Sequence, residues 1–328
     1  MSLMAEPAKN ITDELAQGEL FADRYEIQEP LGRGGMGTVY RARDLALGED
    51  IALKLLSFTE TPAPVAVLRF RREVKLARRV THPNVARLYD IGEHLGTLYL
   101  TMELIDGPTL RAVLRSERRL AVRRVIEVGR ALAAGLSAAH QAGVIHRDLK
   151  PTNILIDRSG RVVLSDFGIA RGLDEDQSLT TGVVGTPYYM APEQCEGALE
   201  LDGRADVYAL GVVLFEMLTG KLPFGGDSDD EVLMKQMTVP APAARSLAPD
   251  VPAALDAIVR RALAKAPADR FPSMAVFGEA LLTPSEHVLP FALRADDNAF
   301  GVVQAARPMS RAEIKLHRAP RAPSPAEP

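Results

Sequence analysis

Three glycines, a lysine and a glutamate in the first quarter of the sequence have types and spacings suited to holding phosphate. Gly32, Gly34 and Gly37, within Leu31-Gly32-Arg33-Gly34-Gly35-Met36-Gly37-Thr38-Val39-Tyr40, spell G-x-G-x-x-G. At a hairpin tip such residues let backbone N–H groups approach phosphate oxygens closely, because no Cβ stands between. Dinucleotide-binding domains use the same spacing, but there it follows a strand and opens a helix. Here Thr38 to Ala42 alternates as a strand, which excludes a dinucleotide oxidoreductase. A plain glycine-rich hairpin stays open. Lys54 lies in the next strand, in Ile51-Ala52-Leu53-Lys54, and Glu73 in the helix that follows. A strand lysine and a helix glutamate can pair and leave the ammonium aimed at phosphates. The plain alternative is a surface lysine beside a solvated helix acid.

The densest stretch is His146-Arg147-Asp148-Leu149-Lys150-Pro151-Thr152-Asn153, followed by Asp166-Phe167-Gly168 and then Ala191-Pro192-Glu193. Glycine loop, IALK, helix glutamate, HRDLKPTN, DFG and APE stand in the order and spacing of one family. Over residues 24–283 the sequence resembles the protein kinases. The resemblance implies an α+β, bilobal fold with a small sheet-rich N-lobe carrying one key helix and a larger, mainly helical C-lobe. It also implies transfer of the ATP γ-phosphoryl group to protein hydroxyls. Lys150 and Thr186, the latter in GTPYYMAPE, look like serine/threonine kinases rather than tyrosine kinases. The LGRGGMGTVY loop is similar to that of bacterial serine/threonine kinases, a resemblance that implies a role in bacterial signal transduction.

Phosphoryl transfer asks a protein to position two substrates and neutralise phosphate charge. At the positions matching the family, Asp148 would accept or orient the proton of the attacking hydroxyl. Lys150 would sit by the γ-phosphate, and Lys54, braced by Glu73, would hold the α and β phosphates. Asp166 and Asn153 offer hard oxygen ligands for Mg²⁺, with Mn²⁺ as an alternative. Leu31, Val39 and Ala52 would cover the adenine ring, with Met102 at the back of its pocket. The backbone of Glu103 and Ile105 would meet the base edge. Thr186 could bridge Asp148 and Lys150. Glu193 and Arg270 are expected as a buried pair, and Asp206 as a brace for the catalytic-loop backbone. A lone loop Asp or Asn would pass for a turn or cap, but here every role has its residue.

The elements that must carry these groups fall into two kinds. From Arg24 to Met102 strands dominate, with one helix at Arg69 to Val80 that puts Phe70, Val74 and Ala77 on one face. A short helix is expected around Ile11 to Phe21. After Asp106-Gly107-Pro108 come helices at Val122 to Ala142, Val207 to Thr219, Ala253 to Lys265 and Ser273 to Leu282. A hairpin joins Ile154–Ile156 to Val162–Leu164. The division expected is 1–23 extension, 24–102 N-lobe, 103–107 hinge, 108–283 C-lobe and 284–328 tail rich in Pro, Ala and Arg. Met1-Ser2-Leu3 is read as a cloning scar.

With 328 residues, a net charge of −4 and 47% hydrophobic residues, the composition is that of an ordinary globular protein without nucleic-acid character. Basic residues gather at Arg69 to Arg79 and in the tail from Arg307 to Arg321, where a solvated face and a polar tail are expected. The single Cys195 excludes an internal disulfide and fits a reducing compartment. No signal peptide is read at the N-terminus, and the most apolar run, Val207 to Leu218, is too short for a bilayer and broken by Glu216. A cytoplasmic location is expected, with an anchor beyond Pro328 left open. ATP and protein substrates are the expected partners, with a homodimer for autophosphorylation in trans, and neither nucleic acid nor a membrane segment. A kinase-shaped binding module is disfavoured because Lys54, Asp148 and Asp166 are all present. A small-molecule phosphotransferase is disfavoured by GTPYYMAPE and Arg270.

Arg147, directly before Asp148, suggests control: a phosphate on the 168–191 segment could pair with that guanidinium. Ser178, Thr180 and Thr181 are the acceptors, the two threonines preferred. After incubation with ATP, mass spectrometry of tryptic peptides should find phosphate there. A fully active enzyme with this segment unmodified would reject the idea.

Overall fold

Period-two burial folds the first part of the chain into a sheet. The computed structural model describes residues 15–34, 37–57, 64–167, 187–198 and 200–282, all within a compact unit ending at Val288. Six strands, β1 (Leu20–Phe21), β2 (Tyr25–Gly34), β3 (Gly37–Asp44), β4 (Glu49–Leu56), β5 (Leu88–His94) and β6 (Thr97–Glu103), pair antiparallel in the order β1-β2-β3-β4-β6-β5. Alternation along β4 sends Leu53 and Leu55 into one apolar cluster, with Tyr25, Ile27 and Tyr40. Ala52 and Leu56 face the other way, against Phe70 and Val74 of α1 (Pro64–Ala77). Lys54 shares the parity of Ala52 and Leu56, so it projects on the α1 side of the sheet.

The expected helix near Ile11 to Phe21 is not found over its described part. Gln17 and Gly18 turn, and Leu20–Phe21 pairs with Tyr25 and Glu26. Gly18 has a φ of +81° and Ala22 and Asp23 also have positive φ, so the backbone reverses tightly where a helix would need uniform dihedrals. At the other hairpin, Gly37 has a φ of +132°, and a Cβ there would fall 1.8 Å from the Leu55 carbonyl oxygen. Only glycine fits that position. Helix α1 begins five residues before its expected start, with Pro64 in its first turn, where a missing N–H costs nothing.

The second half is helical: α2 (Leu110–Glu117), α3 (Val122–Gln141), α4 (Pro192–Cys195), α5 (Arg204–Thr219), α6 (Asp229–Thr238), α7 (Ala244–Leu247), α8 (Ala253–Ala262) and α9 (Met274–Ala280). Between α3 and α4 lies the hairpin of β7 (Ile154–Ile156) and β8 (Val162–Leu164), with the boundaries expected from sequence. Every residue of α5 from Ala205 to Leu218 is buried, so this helix is the centre of the lobe and α3, α8 and α9 pack around it. The two lobes are stitched at Asn84, whose carbonyl accepts the Leu164 N–H at 2.9 Å and whose side chain donates to Val162 at 2.7 Å. Phe167 packs on both the C-lobe core and the cluster beneath α1.

Arg270 and Glu193 form the expected pair. The Arg270 side chain is wholly buried and its guanidinium donates to both Glu193 oxygens at 2.7 Å and to the carbonyls of Ala264, Lys265 and Arg204. Removing one partner of such a pair strands the other's charge. Arg270→Ala should therefore cost about 3–5 kcal/mol in urea denaturation. Arg270→Lys should recover little, because an ammonium cannot reproduce the fork. A loss below about 1 kcal/mol would show that the pair is dispensable.

Candidate active site

The stretch from His146 to Asn153 hangs from the buried end of α5. Asp206 accepts the backbone N–H of His146 at 2.8 Å and of Arg147 at 2.9 Å, and the imidazole of His140 at 2.7 Å. Burial alone would raise its pKa, but these hydrogen bonds and the nearby imidazoles outweigh it and hold the carboxyl below its ordinary 3.8. With the two amides fixed, Arg147 adopts a φ of +61°, a conformation a non-glycine residue holds only under constraint. Asp148 follows directly, projecting into the cleft between the lobes. His146 is fully buried, and burial keeps its pKa below 6.5 and the ring neutral. Its Nε2 donates to the Ser165 carbonyl at 3.2 Å, its Nδ1 accepts the Asp148 N–H at 3.3 Å, and its ring lies 4.8 Å from that of Phe167. One neutral tautomer therefore ties the loop bearing Asp148 to the strand end bearing Asp166.

The polar groups then meet in one place. Lys150 Nζ is 2.8 Å from Asp148 Oδ2, and Asn153 Nδ2 donates to the Asp148 carbonyl at 2.9 Å and to its carboxylate at 3.2 Å. With its NH₂ so engaged, Asn153 is left with its amide oxygen as a ligand atom. Asp166, at a φ of +52°, pairs with Lys54 at 2.5 Å across the cleft. Asn153 and Asp166 thus contribute one amide and one carboxylate oxygen donor, the small hard set that suits a divalent cation completed by phosphate oxygens and water. Among the described residues no cluster of three or more His, Cys, Asp or Glu could hold a metal by itself.

A cavity of about 750 Å³ runs from these groups to the segment joining the lobes. It is lined by Leu31, Gly32, Gly34, Gly37, Val39, Ala52, Lys54, Met102, Glu103, Ile105, Asp148, Lys150, Asn153 and Asp166. All of the residues expected to hold nucleotide or do chemistry therefore converge there, except Glu73. The Glu103 N–H is bonded to the Arg87 carbonyl at 2.8 Å, so its contribution to a ligand edge is its own carbonyl.

Glu73 departs from expectation. The ammonium of Lys54 is bonded to Asp166, and the Glu73 carboxylate lies 3.7 Å from the Arg147 guanidinium. The Lys54–Glu73 pair is not made in this structure because each partner faces a nearer opposite charge. Ser178, Thr180, Thr181 and Thr186 lie outside the described residues. Sequence reasoning missed Arg161, which clamps the joining segment by donating to Glu103 at 2.8 Å and to Asp157 at 2.9 Å. It also missed a cluster of Arg111, Tyr189 and Glu216, in which Arg111 and Tyr189 line the same cavity. The one available signal was Glu216, a charge in an otherwise apolar run.

Comparison with known proteins agrees with this geometry. The family model for the protein kinase domain matches residues 25–281. The serine/threonine-protein kinase PknB of Mycolicibacterium smegmatis is 43% identical over 277 residues, covering 82% of this chain and 44% of that protein. The serine/threonine-protein kinase PrkC of Bacillus subtilis is 37% identical over 255 residues, covering 77% of this chain and 39% of that protein. The chain spans about two fifths of the length of the curated relatives it matches. Among solved structures, the kinase domain of Mycobacterium tuberculosis PknI superposes with a TM-score of 0.68 at 33% identity, covering 83% of this chain and all of that one. The curled antiparallel N-lobe and helical C-lobe are shared with it.

The buried, neutral His146 makes stability depend on pH. Its folded pKa is depressed, so below 6.5 the unfolded chain binds a proton that the folded chain refuses, and stability falls with pH. The slope reaches at most about 1.4 kcal/mol per pH unit. Urea midpoints measured from pH 7.5 to 5.5 should decline accordingly, and His146→Gln should flatten that decline while lowering the midpoint at pH 7.5. Depression of Asp206 adds a second loss only below 3.8. An equal slope in the variant would sink the assignment.

Proposed function

Because the chain belongs to the protein kinase family, we propose that it is an ATP-dependent serine/threonine kinase acting on protein hydroxyls in bacterial signalling. The observation that carries this reading is the convergence of Lys54, Asp148, Lys150, Asn153 and Asp166 on one cavity of about 750 Å³, within the size range of nucleotide and cofactor sites. The serine/threonine relatives and the bacterial organisms they come from support the acceptor type and setting. We read residues 24–102 as N-lobe, 103–107 as hinge and 108–283 as C-lobe. The segment from 284 onward is read as a linker or tail, basic between Arg307 and Arg321.

ATP would lie with its adenine between Leu31, Val39 and Ala52 and its edge at the Glu103 carbonyl and Ile105 amide, under Met102. Backbone amides of the glycine hairpin and the Lys54 ammonium would hold the phosphates. Asn153 and Asp166 would bind the divalent cation, with Mg²⁺ favoured by the oxygen-only donor set; bound there, it would neutralise phosphate charge. The substrate hydroxyl oxygen attacks the γ-phosphorus as the bond to the β–γ bridging oxygen breaks, ADP leaves, and the hydroxyl proton passes to Asp148. Lys150, already 2.8 Å from Asp148, stands where it can meet the transferring group's charge.

Regulation follows from the same charges. Arg147 faces Glu73 at 3.7 Å. A phosphate on Thr180 or Thr181 would compete for that guanidinium and allow Glu73 to turn to Lys54. Autophosphorylation in trans, through a homodimer, would supply it.

With Mg-ATP and a generic protein substrate, incorporation should appear on serine and threonine. Asp148→Asn should lower kcat roughly 10²- to 10⁴-fold, the usual contribution of a general base. Lys54→Met should be similarly impaired. Incorporation indifferent to Asp148→Asn would come from a contaminant and would reject the reading.

A further inference from the structure

Arg111, Tyr189 and Glu216 form a charged cluster that phosphoryl transfer does not use. The Arg111 guanidinium, from the first turn of α2, donates to Glu216 Oε1 at 2.6 Å and to the Tyr189 hydroxyl, which in turn donates to Glu216 Oε2 at 2.6 Å. The Glu216 side chain is 7% exposed, and both of its oxygens are occupied. Arg111 is 28% exposed and lines the same cavity as Asp148 and Lys150. Burial pushes the Tyr189 hydroxyl well above its ordinary pKa, so it is neutral and the cluster holds one cation and one anion.

The two charges are not presented equally. The anion lies in the core with its lone pairs engaged, whereas the cation lies between it and the cleft. A guanidinium has five N–H donors, and the cluster uses only part of that set. A lysine or arginine beside the acceptor hydroxyl would find the buried carboxylate already filled and a like charge in front of it. A substrate carboxylate would find a fixed, partly desolvated guanidinium, the strongest setting for a charge-assisted hydrogen bond.

We propose that Arg111 is a specificity-determining residue, selecting acceptor peptides with an acidic side chain near the phosphorylated hydroxyl and disfavouring basic ones, with Glu216 fixing its position. This inference rests on the protein kinase reading above. A cluster that merely staples α2 to α5 would give the same contacts but no preference for the sign of a substrate's charge.

The test uses the full chain and peptides with a single threonine, identical except for Glu, Ala or Arg scanned through the flanking positions. The unaltered protein should prefer Glu over Arg by about tenfold or more in kcat/KM at one or two positions, chiefly through KM. Arg111→Met should abolish the acidic preference and, with Glu216 uncovered, raise kcat/KM for the Arg peptide by about tenfold. Arg111→Lys should keep the sign of the wild-type preference. Should Arg111→Met fail to fold, Arg111→Met with Glu216→Gln removes both charges while leaving a partner for Tyr189, and it should treat the three peptides alike. An unchanged Glu-to-Arg ratio in an active Arg111→Met protein, or a persistent acidic preference in the double variant, overturns the assignment and leaves the kinase reading standing. Failure of the unaltered chain to phosphorylate any peptide in an Asp148-dependent way overturns both.

Discussion

Asp206 enters the interior on the first turn of a helix that is buried on all sides, and among the described residues no lysine or arginine pairs with it there. Taking a carboxylate out of water costs several kcal/mol. Two backbone N–H groups and the His140 imidazole offset that cost, each such bond to an ion contributing about 1.5–3 kcal/mol. The consequence lies in the loop. Held by two successive amides, Arg147 tolerates a positive φ that would cost about 1–3 kcal/mol unaided, and Asp148 is delivered to the cleft on a backbone with little freedom. The neutral His146 ring carries the same constraint onward to Ser165, Phe167 and hence Asp166. The positions of Asp148 and Asp166 therefore depend on a buried hydrogen-bond network rather than on the cleft itself.

Within the cleft, each lysine is already matched to a carboxylate: Lys54 to Asp166 and Lys150 to Asp148. These pairs are partly exposed, so water and ions screen them and their net worth is modest. Their value is orientational. Both ammonium groups are held in the cleft by these pairs. Under the proposed reading a triphosphate would take the place of Asp166 at Lys54, and the divalent cation would meet the carboxylate so released. Glu73 and Arg147 obey the same electrostatics one layer out, where the pairing that forms depends on which opposite charge is nearer.

What could be read from the sequence divides along the same line between local and distant causes. The β7–β8 hairpin and α3 were legible because alternation and helical spacing are local. The residues expected to line the cleft, scattered from Leu31 to Asp166, were named only through the resemblance to the protein kinases that their motifs carry. Helices α2 and α6 were not foreseen, being short and mixed in polarity, with their burial decided by partners far away in sequence. A helix was expected up to Phe21 because Leu20 and Phe21 are apolar in either conformation, and only pairing with Tyr25 and Glu26 selects the strand there. The ionic partner of Glu73 depends on where α1 settles against the sheet, which no spacing encodes. The Arg111–Tyr189–Glu216 cluster joins positions 78 and 105 residues apart, so only the anomaly of a charge inside an apolar run hinted at it.

That anomaly and Asp206 belong to one helix. Asp206 and Glu216 are the acidic residues of α5, ten positions apart, or roughly 15 Å along its axis at 1.5 Å per residue. One holds the backbone that presents Asp148, and the other holds the guanidinium of Arg111 at the edge of the same cavity. A helix packed on every side cannot bend without disturbing the core, so the separation between the two anchors is set by the interior and not by mobile surface loops. On the proposed reading, a substrate whose hydroxyl reaches Asp148 would have its neighbouring side chains placed against a fixed charge. Alignment for catalysis and discrimination by charge would thus both follow, on that reading, from burying two carboxylates in one helix that is otherwise almost wholly apolar.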